Sequence, residues 1–572
     1  MALTTMVWDP GAVTSRGVSI RFPQAGGRWA LGAGSVTLAV LLALPVLTVA
    51  ASLLAPTDGA WARLVALTLP QYVISTVALL LGAGLGVLVI GVGTAWLVTA
   101  YRFPGRALCT WLLVLPLSVP AYLLAYVYAD LLQFTGPVQT ALRDWFGWGR
   151  GDYWFPEIRS LGGAVGVMTF AFYPYVYMLA RAAFLEQSAS AVEVSRTLGL
   201  GPWLTFVRVA VPLARPGIVA GLTLALMEVL ADFGAVRHFE VPTFTTGIYL
   251  AWFGLGSPLG AAKLASGLLM FVVVLLVAER ALRGGRRFHQ TAVRAPQAAD
   301  IPLVGARGLA ALACCLAPSV VGFLIPAAAL LRMATTAGDP VLGQRFVALA
   351  GRSLGLAALA ALVTVAAAAV LAYGVRLAAG PAVRAAARLA TLGYALPGSL
   401  IAVGVMLPAA GLDNAVDAWA RGAFGRPTGL LLSGTIVVLI FAYLVRFLAV
   451  SFNTVEAALS RIRPAMDEAA RTLGHGPGST LLRVHAPLMS GSLLAAALLV
   501  FVDTLKELPA TLILRPFNFD TLAIRVYQLA SDERLAQAST AALAIVGIGL
   551  LPVFVMIRAS ARVRDRGRPV AL

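Results

Sequence analysis

Apolar residues arrive along this chain in long unbroken runs, separated by short segments in which arginine recurs. Twelve such runs lie near residues 30–54, 71–101, 107–132, 161–185, 213–235, 264–283, 307–331, 350–378, 386–411, 429–453, 488–510 and 538–557. A helix needs about 20 such residues to cross a hydrocarbon layer about 30 Å thick. None of the runs alternates polar and apolar residues as a barrel strand would, and a helix satisfies its own backbone within lipid. The pattern predicts an all-α, polytopic membrane protein of about 12 transmembrane helices.

Composition sharpens this picture. Of 572 residues, 60% are hydrophobic and 12% charged, about half the charge of an ordinary soluble domain. The net charge of +18 rests on arginines distributed among loops rather than gathered into one patch, which excludes nucleic acid as a partner and marks cytoplasmic flanks. Arg16, Arg21 and Arg28 precede the first run, Arg102 and Arg106 follow the second, and Arg280 to Arg294 lie between the sixth and seventh. The tail from Arg558 to Arg568 completes the series, so both termini are expected in the cytoplasm of a multi-pass inner (plasma) membrane protein. The first run exceeds a signal-peptide core and is read as an uncleaved span. The loops near 134–160, 232–262, 411–428 and 511–537 then face outward.

An internal repeat organises the runs. Glu193-Val-Ser-Arg-Thr-Leu-Gly-Leu-Gly-Pro202 returns 275 residues later as Glu468-Ala-Ala-Arg-Thr-Leu-Gly-His-Gly-Pro477. Across 193–214 and 468–489, twelve of twenty-two positions are identical without a gap. Six runs accompany each copy, and an even number makes the repeats parallel, with a pseudo-twofold axis along the membrane normal. The expected division is a first half over 1–279 with its loop near 190–213, a cytoplasmic linker over 280–308, and a second half over 309–572 with its loop near 464–488.

These loops resemble the docking loop of the permease subunits of binding-protein-dependent ABC importers, whose pattern is Glu-Ala-Ala, three residues, Gly, nine residues, then Ile-x-Leu-Pro. The first half matches at Glu193, Gly199, Val209 and Pro212, the second at Glu468, Ala469, Ala470, Gly474, Val484 and Pro487. In the first, Val194 and Ser195 replace the alanines; Val211 and Ala486 replace the leucine. The resemblance implies that Glu193, Gly199, Pro212, Glu468, Gly474 and Pro487 belong to helices that dock onto an ATPase. Gly199 and Gly201, like Gly474 and Gly476, suit a positive φ at a helix end, with Pro202 and Pro477 stopping the helix. Ser190-Ala-Val-Glu193 also has capping-box spacing, whereas Pro464 is expected at a first helical position, leaving Glu468 deeper. Ala225 to Gly234, Val241 to Gly247, Phe517 to Asp520 and Ala530 to Arg534 further resemble fused, two-half ferric iron permeases. Thiamine and phosphonate permeases share the loop pattern.

Independently of resemblance, Glu228 and Asp232 lie four residues apart, and Asp503 and Glu507 repeat them at the same 275-residue offset. Each pair shares a helix face. One reading is a transient carboxylate relay for a hard cation. The other sets them in the outer headgroup zone, paired with Lys506 or Arg237. Tyr122, Tyr126 and Tyr128 are read as an interfacial aromatic belt, and Tyr173, Tyr175 and Tyr177 as helix packing with satisfied hydroxyls. His238, His289, His475 and His485 lack metal-site spacing, so no metal ligand is assigned. Cys109, Cys314 and Cys315 read as buried small hydrophobes.

The chain's only lysines, Lys263 and Lys506, follow Ala262 and Leu505, so a Gly-Lys-Ser/Thr phosphate loop is impossible. No catalytic constellation is expected, and no cofactor bound by this chain. The resemblance places ATP and Mg on two copies of a partner ATPase and implies an external (periplasmic) solute-binding protein. Twelve spans also suit an ion-coupled secondary transporter, against which the duplicated loop argues. A membrane enzyme would need ligands or nucleophiles that the sequence does not cluster.

Overall fold

The structure is a computed structural model. It describes residues 25–56, 59–187, 199–283, 301–336, 344–377 and 380–566, together with Ser195 and Thr197. Glu193, its capping box and linker residues 284–300 lie outside the described residues.

The first half contains α1 (Ala25–Ala51), α2 (Leu69–Ala100), α3 (Arg106–Leu112), α4 (Ala121–Leu132), α5 (Leu161–Glu186), α6 (Val211–Ala231), α7 (Gly234–His238), α8 (Phe244–Tyr249) and α9 (Pro258–Arg283). The second contains α10 (Ala306–Ser319), α11 (Ile325–Thr336), α12 (Gln344–Leu377), α13 (Pro381–Ala390), α14 (Gly398–Phe424), α15 (Ile436–Ser460), α16 (Pro464–Thr472), α17 (Ser490–Lys506), α18 (Pro509–Leu514), α19 (Leu522–Ser531) and α20 (Leu535–Arg566). Among the described residues, ten helices are long and apolar enough to cross a membrane, and twelve spans result if two bent pairs each count as one. The chain is thus a polytopic all-α membrane protein. Among the described residues one sheet forms, pairing β1 (Tyr101–Arg102) in parallel with β2 (Ile301–Pro302) and fastening the segment before α10 to the end of α2.

Proline interrupts the third and the ninth of the expected helices. Arg106–Ser118 meets Ala121–Phe146 at 92°, because Pro120 removes a donor and holds Val119 extended at φ −101°, ψ 116°. Pro397 acts likewise on Leu396, at φ −91°, ψ 134°. The expected outer loops are also more ordered than a loop reading allows: α7 and α8 fill 232–262, α18 and α19 fill 511–537, and α14 continues to Phe424.

Packing in lipid depends on close backbone approach. Gly82 and Gly86 on α2 face Val165 and Thr169 on α5, where a Cβ on either glycine would overlap the opposing side chain. The two halves interlock. Helix α1 packs on α12, α13 and α14 of the second half, and Gly404 of α14 meets the Pro45 carbonyl where no Cβ would fit. In return α10 packs on α2 and α3, and α11 on α4. Two apolar cores result, one joining α2, α4 and α5 to Cys315, Leu330 and α20, the other joining α12, α14 and α15 to Ala39, Leu42, Val49 and α9. Cys109 and Cys315 are buried, whereas Cys314 is exposed, a departure from the expectation for all three.

Candidate functional site

Pro464 opens α16 at its first turn. Glu468 is exposed on this helix while its neighbour Asp467 is buried. The helix ends in a Schellman motif: His475 N–H donates to Ala470 O at 3.0 Å, Gly474 N–H to Arg471 O at 3.0 Å, and Gly474 has φ +80°. The first half repeats it, with Leu200 N–H donating to Ser195 O at 3.1 Å and Gly199 at φ +79°. Gly201 and Gly476 differ from expectation. Both are extended N-caps, at φ −66° and −73°, and Pro202 and Pro477 open the next helical turn rather than merely stopping the last one. Residues Phe206–Ala210 and Leu481–His485 then widen into π-turns, which relieves the clash of Pro212 and Pro487 with the carbonyl four residues back.

Sequence reasoning missed what holds α16 in place. Asp467 Oδ2 accepts from Arg376 Nη2 at 2.6 Å and Nε at 3.0 Å, and Oδ1 from His485 Nε2 at 2.7 Å. Arg376 also donates to the carbonyls of Leu459 and Ile462 at the end of α15. Burial raises the Asp467 pKa, but the hydrogen bonds from Arg376 and His485 outweigh it and hold the carboxyl below its ordinary value.

At the seam between the halves, a cavity of about 130 Å³ is lined by Glu228, Asp232, Asp503 and Glu507 together. The repeat thus brings both acid pairs to one place, facing the cavity rather than separate loops. Two of the four act as helix caps. Asp232 Oδ1 accepts from Ala235 and Val236 N–H at 2.9 and 3.3 Å, opening α7. Glu507 accepts from Ala510 and Thr511 N–H at 2.9 and 3.0 Å, opening α18 at the same offset. Asp503 pairs with Lys506 at 3.4 Å, as one expectation had it, whereas Asp232 uses backbone donors in place of Arg237.

Arg446, in the middle of α15, also lines this cavity and reaches Glu507 Oε1 at 3.4 Å. A Cβ on Gly398 would overlap both partners, so that glycine makes room for the pair. Alanine stands at the equivalent position of the first half, Ala171. A lone arginine inside an apolar run was a signal available in the sequence. Tyr122, Tyr175 and Tyr394 complete the lining. Tyr122 and Tyr126 are 5% and 2% exposed, which corrects the aromatic-belt reading: these rings turn into the protein. Tyr177 does have a satisfied hydroxyl, donating to Thr110 O at 3.0 Å.

A second cavity, of about 500 Å³, holds His238, Arg237, Glu240 and the Arg159–Glu533 ion pair, which crosses the seam at 3.0 Å. Among the described residues, no cluster of three or more His, Cys, Asp or Glu side chains is arranged to hold a metal ion.

Comparison with known proteins now places this geometry. The model of the binding-protein-dependent transport system inner membrane component family matches residues 87–284, which include the first copy of the repeated loop, Glu228 and Asp232. The chain is 26% identical over 498 residues to the Fe(3+)-transport system permease protein FbpB 2 of Haemophilus influenzae, covering 84% of this chain and 88% of that one. It is 32% identical over 196 residues to the molybdenum transport system permease protein ModB of Escherichia coli, covering 33% and 82%. To the sulfate transport system permease protein CysT of E. coli it is 28% identical over 223 residues, covering 38% and 76%. With a family match over the first half, a relative aligned across both halves and another aligned over most of its own length, the chain belongs to the binding-protein-dependent permeases of ABC importers, as a two-half inner membrane component.

Proposed function

We propose that this chain forms the translocation pathway for ferric iron, delivered by an external binding protein and driven by two copies of a separate ATPase. ATP and Mg belong to that partner. Glu193, Gly199 and Pro212 in one loop, and Glu468, Gly474 and Pro487 in the other, form its two docking sites. Both termini lie on the ATPase side, in accord with the arginine-rich flanks. The observation that carries the iron reading is the cavity, in which four carboxylates face two cationic side chains. That surplus of hard, anionic oxygen suits a cation such as Fe³⁺ and opposes an oxyanion. The extent of the match to an Fe(3+)-transport permease supports the same reading.

The competing reading is an oxyanion pathway, favoured by Arg446 and Lys506 in the lining and by relatives named for molybdenum and sulfate transport. Vesicles containing this chain with its ATPase and cognate binding protein separate the two. The expected result is ATP-dependent uptake of labelled Fe³⁺ that falls when Glu228→Gln and Asp503→Asn are combined. Uptake of molybdate or sulfate without iron would overturn the iron reading and keep the permease.

A further inference from the structure

We propose that the seam cavity is an oxygen-donor waypoint for the bare trivalent cation, in which the phenols of Tyr122, Tyr175 and Tyr394 complete a ligand set begun by Glu228 and Asp503. This rests on the iron reading and gives it a binding site.

The acids alone do not make the site. Asp232 Oδ1 and both carboxylate oxygens of Glu507 accept from the first N–H groups of α7 and α18, and the described acids form no metal-holding cluster by themselves. Glu228 and Asp503 face the cavity from equivalent positions in the two halves, with Lys506 beside Asp503. The Tyr175 and Tyr394 phenols lie within electrostatic reach of both carboxylates and of each other.

An independent observation comes from Tyr122. Its side chain is almost completely buried, lines the cavity, and its hydroxyl has no hydrogen-bond partner. Buried hydroxyls are ordinarily satisfied, and one left without a partner beside a cavity is free to bond a ligand held there. Its electrostatic neighbours, Asp232 and Glu507, line the same space.

Charge balance agrees. Four carboxylates and two basic side chains leave a formal surplus of two negative charges, which attracts a trivalent cation. Arg446 serves the empty state: paired with Glu507 and facing Glu228, it keeps the carboxylates from standing uncompensated at membrane depth. An arriving cation takes over that task. Each phenol that coordinates exchanges its O–H bond for a bond to the metal and releases one proton to the solvent, so that Glu228 and Asp503 stay ionised as ligands. Phenol and carboxylate oxygens are hard donors, matched to Fe³⁺ and mismatched to soft metals.

The test uses the purified full chain, titrated with ferric nitrilotriacetate and read by visible absorption, in which iron-bound phenolate gives a charge-transfer band. The expected result is a saturable band that gallium suppresses, that is lost when Tyr175→Phe and Tyr394→Phe are combined, and that Tyr443→Phe leaves unchanged. Tyr443 is the control because its hydroxyl bonds Thr511 away from the cavity lining. Tyr122→Phe weakens the band without lowering the melting temperature, since it removes a hydroxyl that has no partner. ATP-dependent iron uptake with no band, or with a band indifferent to the cavity substitutions, overturns the waypoint and leaves the iron reading standing. Vesicles that import an oxyanion and no iron overturn both.

Discussion

The two repeated loops share a backbone frame but are secured by different forces. Behind the second, Asp467, Arg376 and His485 form a buried ionic network. At the corresponding places the first half has Val192, Tyr101 and Ala210. Its loop leans on an aromatic cluster instead: Trp96 meets Phe184 and Phe206 with ring centroids 5.3 Å apart, and Phe206 meets Trp203 at 5.6 Å. The second half has Leu371, Leu459, Leu481 and Gly478 at those positions. Identical caps and π-turns therefore set the geometry, while the anchoring beneath is free to be apolar or ionic. Dispersion is spread over many atoms and tolerates trimming. A buried ion pair concentrates its strength and its vulnerability in a few atoms.

The largest expected effect follows from that concentration. Asp467→Ala leaves the partly buried Arg376 without its charged partner but still bonded to the Leu459 and Ile462 carbonyls, a loss of about 3 kcal/mol, the low end for a buried pair, and loosens α16 alone. Measured by thermal melting and by ATPase co-purification, it exceeds any single substitution in the aromatic cluster. Trp96→Ala is the matched test in the first half. Trp96 is only partly buried, so the expected loss is about 2–3 kcal/mol, below the range for a fully buried ring. Equal losses from the two substitutions would erase the proposed difference.

A smaller, symmetric effect tests the shared frame. Gly199→Ala and Gly474→Ala each force a Cβ into the left-handed region, at a cost of about 1–2 kcal/mol. Open space surrounds both glycines, so strain is the only term and the two losses should match. A disparity above about 1 kcal/mol would show that the frames are not equivalent.

The same contrast separates what the sequence discloses from what it withholds. The glycine caps, Pro464 at its helix start and the registered acid pairs were legible, because a repeat copies backbone requirements at a constant offset. The exchange of α1 and α10 between halves was not, since an apolar run suits lipid and a neighbouring helix equally well. Asp467 stood beside Glu468 with nothing local to say which turns inward; its partners lie 91 and 18 residues away. Arg446 was detectable as an isolated charge, but its partner Glu507 and the room made by Gly398 were not. The tyrosines near the end of the third run were misplaced because a helix turned into the protein and an interfacial one have the same composition.

The smallest expected effect concerns acidity and asks which member of the ionic network titrates. The Asp467 pKa is depressed in the folded protein, because hydrogen bonds from Arg376 and His485 overcome the effect of burial. A depressed carboxylate contributes stability that is fully present above its unfolded value, about 3.9, and is lost as pH falls through the folded value. The melting difference between wild type and Asp467→Asn should therefore hold steady from about pH 8 to 5 and shrink only below about pH 4. Arg376 faces the carboxylate throughout, whereas Arg471 donates to the backbone carbonyl of Asp467. The Trp96→Ala difference, which involves no titrating group, should keep its size over the whole range. A step in the Asp467→Asn difference near neutral pH would show that the carboxylate is not the group whose protonation weakens the network.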